Sequence, residues 1–544
     1  MQPLLMRFLL LLGLSLCLLT ARAEPLRATP VPPPAPLAAA LASLLGDDPD
    51  ARSQAVLDLA LSPDVRARTV LQALREDGLF VFNTQALLLT GEQWVSAQSG
   101  QVVPVPADAA APPEQVTVNN RLRGDVVKAL ALGDLRSPDV AVRRAAATEL
   151  SSEPPIPFAA RMALAAQAES DAETAQILRR AAAQALLASP DAGVRLQALA
   201  TLAGSGEPSI AALIRPLTTS AEPDAAVREA ARHALTDIQQ RLFWGDLLDR
   251  LFTGLSLGSI LLLAALGLAI TYGVMGVINM AHGEFLMIGA YGAYAMQGLF
   301  QQHAPGLQAW YLAAALPVGF LAAALTGVVL ERLVVRHLYG RPLETLLATW
   351  GLSLILIQAA RALFGPQNVS VANPFWMSGS LILTPSLVLP WNRLLIIAFA
   401  VAVLALTWGL MQRTRLGLYV RAVTQNRPMA ACVGVATQRI DTLAFALGAG
   451  IAGLGGVALS QISNVGPEMG QGYIVDSFMV VVLGGVGQLA GAVLAALGLG
   501  VATKLLEGWT GAVIAKILVL VFVIVFIQKR PQGLFAQRGR HADA

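Results

Sequence analysis

From residue 251 onward, apolar residues run in long blocks of Leu, Ala, Val, Ile and Gly with widely spaced charges. Such blocks lie near 251–273, 280–300, 310–331, 344–364, 393–412, 441–463, 489–507 and 511–528, with a shorter one at 475–487. About 20 apolar residues cross a bilayer as a helix, and a soluble core has no need of so many in series. Upstream the pattern changes: residues 24–249 hold most of the acidic and basic groups. The chain therefore reads as a soluble part followed by a membrane part.

The soluble part repeats itself. Ser137-Pro138-Asp139-Val140-Ala141-Val142-Arg143 recurs as Ser189-Pro190-Asp191-Ala192-Gly193-Val194-Arg195 and as Glu222-Pro223-Asp224-Ala225-Ala226-Val227-Arg228, with weaker echoes at Asp48-Pro49-Asp50 and Ser62-Pro63-Asp64-Val65-Arg66. Each strong copy leads into an Ala/Leu helix. Pro suits a helix's first turn, and Asp or Ser caps its positive end. One such unit has too small an apolar face to fold alone, so neighbours must stack. The pattern resembles HEAT-like α-solenoid repeats and predicts a helical domain over 24–240. Residues 78–123 interrupt it: Leu79–Phe82 and Gln101–Val103 read as short strands with turns around Gly91 and Gly100, a small β insertion.

At the N-terminus, Arg7, the apolar run Phe8–Leu19 and Ala21-Arg22-Ala23 have the layout of a secretory signal peptide over residues 1–23, with an uncleaved anchor as the alternative. Pro30–Pro36 then reads as an extended linker. Of the two cysteines, Cys17 falls in the signal stretch and Cys432 in the membrane part, so a processed chain has no intrachain disulfide.

The net charge of +3 does not point to nucleic acid, because the basic excess sits at the ends of apolar blocks. Arg332, Arg336 and Arg341 form one basic loop, Arg413, Arg415, Arg421, Arg427 and Arg439 another, and Lys529, Arg530, Arg538 and Arg540 a basic tail over 531–544 and just before it. All are expected to be cytoplasmic. With the soluble domain on the opposite side, the number of crossings is odd, which favours nine spans; a re-entrant 475–487 segment would leave eight.

Two blocks are broken by polar or glycine clusters: Ile278-Asn279-Met280-Ala281-His282-Gly283-Glu284-Phe285, and Val482-Leu483-Gly484-Gly485-Val486-Gly487-Gln488. Irregular backbone at membrane depth is tolerated only where protein or water surrounds it. Asn279, His282, Gly283, Glu284, Gly484 and Gly485 are therefore candidates for lining a translocation path, together with Asp476; for the glycines, close helix packing is the competing explanation. Lys504, Glu507 and Lys516 lie near block ends, where snorkelling to the interface is expected. In the loop 413–440, Asn426 suits an N-cap, Pro428 a first turn and Gly434 a left-handed C-cap, so a short helix is predicted outside the membrane, presenting Met429 and Val433. No G-x-x-x-x-G-K-[ST] loop occurs, the histidines lack metal-ligand spacing and no nucleophile elbow is present. No enzymatic site, metal site or cofactor is expected in this chain.

The 413–440 loop resembles the coupling helix of the Liv-type branched-chain amino acid family of ABC importer permeases. The cluster at 278–285 is similar to that family's first signature and Val482–Gly487 to its late glycine motif, so the resemblance covers roughly 250–535. It implies an all-α polytopic permease domain of about eight or nine transmembrane helices over 250–530, in a bacterial inner membrane and among its lipids. Thr424, Gln425, Asn426, Arg427, Met429, Ala430, Val433 and Gly434 would form the ATPase-coupling helix. The implied partners are cytoplasmic ATPase subunits that use the ATP, a second permease subunit and a periplasmic solute-binding protein. Thr424–Ala430, Tyr473–Met479, Lys529–Phe535 and the large N-terminal domain resemble the urea-transporting branch, which implies urea as cargo and a urea-binding partner. The alternatives are branched-chain amino acids or short amides, and, outside this class, a secondary carrier or passive urea channel.

Overall fold

The computed structural model describes residues 35–91, 93–105, 112–384 and 387–535. The expected signal peptide, Cys17, Arg538 and Arg540 lie outside the described residues. The chain divides into two compact units, Met1–Leu242 and Phe243–Ala544.

In the first unit, the repeated motif sets the helix starts. Asp48, Asp64, Asp139 and Asp191 each accept a hydrogen bond from the backbone N–H two residues on, at the head of helices Pro49–Leu61, Val65–Arg75, Val140–Ser152 and Ala192–Leu202. Asp224 does the same for Ala226, at 2.8 Å, where helix Ala225–Met275 begins. Such caps stabilise a helix by about 1 kcal/mol each. The motif's arginine has a role that spacing alone did not reveal. Arg143 donates back to the carbonyls of Ser137 and Pro138, at 2.9 and 3.0 Å, and Arg195 to those of Ser189 and Pro190, at 2.8 and 3.0 Å. Each then reaches forward to a buried carboxylate, Glu169 at 2.7 Å and Glu222 at 2.7 Å. One arginine thus closes its own turn and ties it to the next segment. Leu150, Phe158, Met162, Leu178 and Leu202 are buried in the core between these helices.

The interruption at 78–123 is a four-stranded antiparallel sheet, in the order Gln93–Ser96, Gln85–Thr90, Leu79–Phe82, Glu114–Gln115. Asn83 and Thr84 connect two of its strands with φ of +48° and +66°, the left-handed geometry of a tight hairpin. The segment expected as a strand at Gln101–Val103 contributes only a single bridge, Val95 to Val102. The edge strand Glu114–Gln115 was not foreseen, being two residues long and polar.

Among the described residues, seven helices are long and apolar enough to cross a membrane, where eight or nine crossings were expected. They lie within Ala225–Met275, Pro305–Leu333, Pro342–Phe364, Trp391–Arg413, Thr437–Leu459, Leu489–Thr510 and Ala512–Lys529. Two segments fall outside the count for different reasons. Met469–Gly484 has 16 residues and is short. His282–His303 has 22 residues, about 33 Å of helix, but carries Glu284, Gln297 and other polar side chains. It packs on Tyr311–Leu333 and Thr437–Leu459, so protein rather than lipid surrounds much of it. The share of each span enclosed by the unit ranges from 78% for Thr437–Leu459 to 17% for Ala512–Lys529, which marks the first as central and the second as peripheral. A two-stranded hairpin, Ser380–Thr384 with Leu387–Pro390, precedes Trp391–Arg413.

Candidate translocation site and docking helix

Helix Ala225–Met275 ends at Gly276, with φ of +67°, and the backbone stays non-helical until His282. Within the break, Asn279 Oδ1 accepts from the Ala281 N–H at 3.0 Å, which turns the chain into the next helix. His282 Nε2 lies 3.0 Å from the Ala264 carbonyl, so its proton sits on that nitrogen, and its ring meets Phe285 edge-on at 5.7 Å. Glu284 occupies the first turn, where the helix dipole favours negative charge. Its Oε1 accepts from Ser353 at 2.8 Å. Asn279, His282 and Glu284 are all buried, at 2%, 0% and 1% exposure. Yet Asn279 Nδ2, His282 Nδ1 and Glu284 Oε2 have no hydrogen-bond partner among the described residues. An unsatisfied buried polar atom costs about 1–3 kcal/mol, and ionisable groups in a span mark functional sites.

The partner surface was missed in sequence. Thr345, Thr349 and Ser353 recur every four residues on helix Pro342–Phe364, and all are buried. Thr349 accepts from the Met280 N–H at 3.1 Å and Ser353 binds Glu284. Further along, Tyr291 stacks on Phe364 with centroids 4.4 Å apart. The contacts advance together on both helices, which therefore run side by side in the same direction. Three hydroxyls at helical spacing in an apolar block were the available signal.

The candidate glycines have a packing explanation. A Cβ on Gly283 would come within 2.4 Å of the Gly470 carbonyl oxygen, and one on Gly484 within 2.5 Å of the Gly491 carbonyl carbon. Gly485 has φ of +100° and lies against the Phe535 carbonyl. Asp476 pairs with Lys516 at 3.2 Å across helices Met469–Gly484 and Ala512–Lys529. Lys504 pairs with Glu507 at 2.7 Å. Both lysines near the block ends thus pair with carboxylates.

The 413–440 segment folds as two helices where one was expected, Arg415–Gln425 and Arg427–Cys432. Asn426 caps the second, accepting from the Met429 N–H at 3.0 Å, and Gly434 follows it with φ of +89°. Ala430 is buried, while Met429 and Val433 are 61% and 73% exposed. Thr424 turns its hydroxyl back to the Val420 carbonyl at 2.8 Å. Arg427 does not face outward. Its guanidinium forks onto Asp441, donates to the Tyr339 hydroxyl at 2.8 Å and lies 4.1 Å from the centre of that ring. Asp441, in the first turns of helix Thr437–Leu459, is 97% buried. Next to it, Thr442 donates to Glu331 at 2.8 Å, and Arg336 pairs with the same carboxylate at 3.3 Å.

Multiple candidate spans, a broken helix with buried polar atoms, a glycine-rich break and an anchored helix with an exposed apolar face are the features of a multi-pass membrane protein. Residues 250–528 match the family described as branched-chain amino acid transport system / permease component, and the chain belongs to that family. It is 30% identical over 297 residues to the high-affinity branched-chain amino acid transport system permease protein LivH of Salmonella typhimurium, covering 53% of this chain and 96% of that one. It is 28% identical over 296 residues to BraD of Pseudomonas aeruginosa, described in the same terms, with 53% and 96% covered. A 100-residue stretch is 31% identical to the ribose import permease protein RbsC of Escherichia coli, 17% of this chain and 31% of that one. No solved structure matches the chain. The first unit lies outside the family match. Relatives and spans together make this a multi-pass inner-membrane protein.

Proposed function

We propose that this chain is a membrane-spanning permease subunit of an ABC importer for branched-chain amino acids. The observation that carries the ABC reading is the helix Arg427–Cys432, fixed from behind by Arg427 and Asp441 and open in front at Met429 and Val433. An apolar helix face left exposed among the described residues suits docking into a cleft on another protein. In this reading the cleft belongs to a cytoplasmic ATPase subunit, which binds the ATP. A second permease subunit and an extracytoplasmic solute-binding protein complete the importer. The basic loops and tail face the cytoplasm, and the first unit, a HEAT-like solenoid following a signal peptide, lies on the other side and receives the binding protein. The cargo assignment follows the LivH and BraD relatives.

A second reading, urea, is favoured by the Thr424–Ala430 variant of the coupling segment and by an N-terminal unit outside the family match. The test is uptake of labelled leucine and labelled urea in cells with and without the chain. Loss of leucine uptake alone supports the first reading, and loss of urea uptake alone replaces it with the second. Loss of neither removes both. Deleting residues 24–240 at equal expression tests the docking role of the first unit, which unchanged uptake would rule out.

A further inference from the structure

Two segments singled out for different reasons meet at one cleft. Thr424 and Gln425, just ahead of the docking helix, and Gly487 and Gln488, at the end of the glycine cluster, line a single cavity of about 490 Å³. Small-molecule clefts are commonly roughly 300–1,000 Å³. A Cβ on Gly273 would come within 3.0 Å of Gly487 Cα, so the glycine cluster's backbone lies directly on helix Ala225–Met275 along one side of the cleft.

The chemistry of the walls is selective. Ile270, Val274, Met411 and Leu489 make an apolar side. Gln412, Gln425 and Gln488 supply carboxamides, and Arg421 supplies the one charge. Arg421 donates to the Met411 carbonyl, which leaves most of its five N–H groups unused there. Among the described residues, no Asp or Glu lines the cleft. A guanidinium with no anion beside it among the described residues, next to acceptor oxygens and an aliphatic wall, matches the three parts of an aliphatic α-amino acid. The carboxylate takes the planar fork of Arg421, the ammonium takes carboxamide oxygens, and the side chain takes the apolar wall. Urea has neither a carboxylate nor an aliphatic group.

We infer that this cleft is a binding site, within the permease chain itself, for the transported aliphatic amino acid, with Arg421 holding its carboxylate. The inference rests on the branched-chain reading above. It is tested on the assembled importer in lipid nanodiscs, without solute-binding protein, by equilibrium dialysis against radiolabelled leucine. Wild type should bind leucine saturably. Arg421→Gln should weaken binding about ten-fold or more, and Arg421→Lys, which keeps charge without the fork, by less. Gln488→Ala should weaken it without removing the charge. Leucinamide and urea should compete at least about ten-fold more weakly than leucine, because neither has a carboxylate. Unchanged binding by Arg421→Gln, or leucinamide competing as well as leucine, would overturn the proposal. So would loss of the ATPase subunits from Arg421→Gln with leucine still bound, which would assign Arg421 to assembly. If wild-type nanodiscs bind no leucine while cells carrying the chain still take it up, the site is refuted and the permease reading stands. If those cells take up no leucine, the branched-chain reading fails and the site falls with it.

Discussion

The two units bury polar groups of different kinds, mostly paired arginines and carboxylates in the first and a cluster with three open atoms in the second. In the first, Arg143 and Arg195 are buried against Glu169 and Glu222 and also donate to turn carbonyls, with Arg195 Nε the one atom of the two left unmatched. In the second, Asn279, His282 and Glu284 are buried more deeply and each keeps an atom unmatched. A scaffold closes most of its hydrogen bonds internally, because every open one weakens the fold. A site that must exchange partners leaves some open. The comparison separates polar residues that hold this chain together from those available to something passing through it.

The largest effect should come from forcing apart the helices that carry the open site. Gly283→Leu places a side chain where the Gly470 carbonyl leaves no room for a Cβ, and overpacking costs typically 1–3 kcal/mol or more. Folded protein recovered by size-exclusion chromatography should fall several-fold, and uptake with it. Full recovery would mean that the close approach is not needed.

Next is the docking face. Met429→Asp with Val433→Asp should cut uptake and ATPase co-purification by about ten-fold or more, since buried apolar anchors at interfaces contribute more than about 1 kcal/mol each. Thermal stability of the chain should not move, because both side chains are exposed. Normal co-purification and uptake would dismiss the docking role.

Asp441→Ala sharpens the contrast between closed and open groups within the membrane unit. It leaves Arg427 without its carboxylate, a change that costs roughly 3–5 kcal/mol where the pair is buried and less here, because Arg427 is partly exposed. Melting temperature should drop. Glu284→Gln, which removes an unmatched oxygen's charge, should leave melting nearly unchanged and reduce uptake. Equal melting effects in the two variants would erase the distinction.

The smallest effect is a pH dependence in the first unit. Arg143 first, and the Asp171 N–H second, hold the Glu169 carboxyl down to about 2 from an ordinary value of 4.5. A depressed carboxyl stabilises the fold above its ordinary value and loses that contribution as pH falls toward its folded value. Amide-exchange protection across residues 140–186 should therefore weaken between about pH 4.5 and 2. In Glu169→Gln the same step should be smaller.

What was legible in sequence was local. Asp139, Asp191 and Asp224 announce caps because cap and helix lie within three residues of each other, and Asn426 does the same for the docking helix. The broken helix at 278–285 was legible from polar residues in an apolar block. What was not legible depended on register between distant segments. Ser353 meets Glu284 from 69 residues away, and nothing near either specifies the other. Asp441 reads as one more charge at a span's end until Arg427 is seen against it. The span expected near 280–300 is a 22-residue helix, His282–His303, whose polar side chains are covered by neighbouring helices, a packing that hydropathy does not register.

The fork between Arg427 and Asp441 has a mechanical meaning. It joins a short helix with an exposed apolar face to the first turns of Thr437–Leu459, the candidate span most enclosed by its neighbours. A push of an ångström on Met429 and Val433 is therefore delivered to the axle of the bundle rather than to its rim, and the permease has a handle.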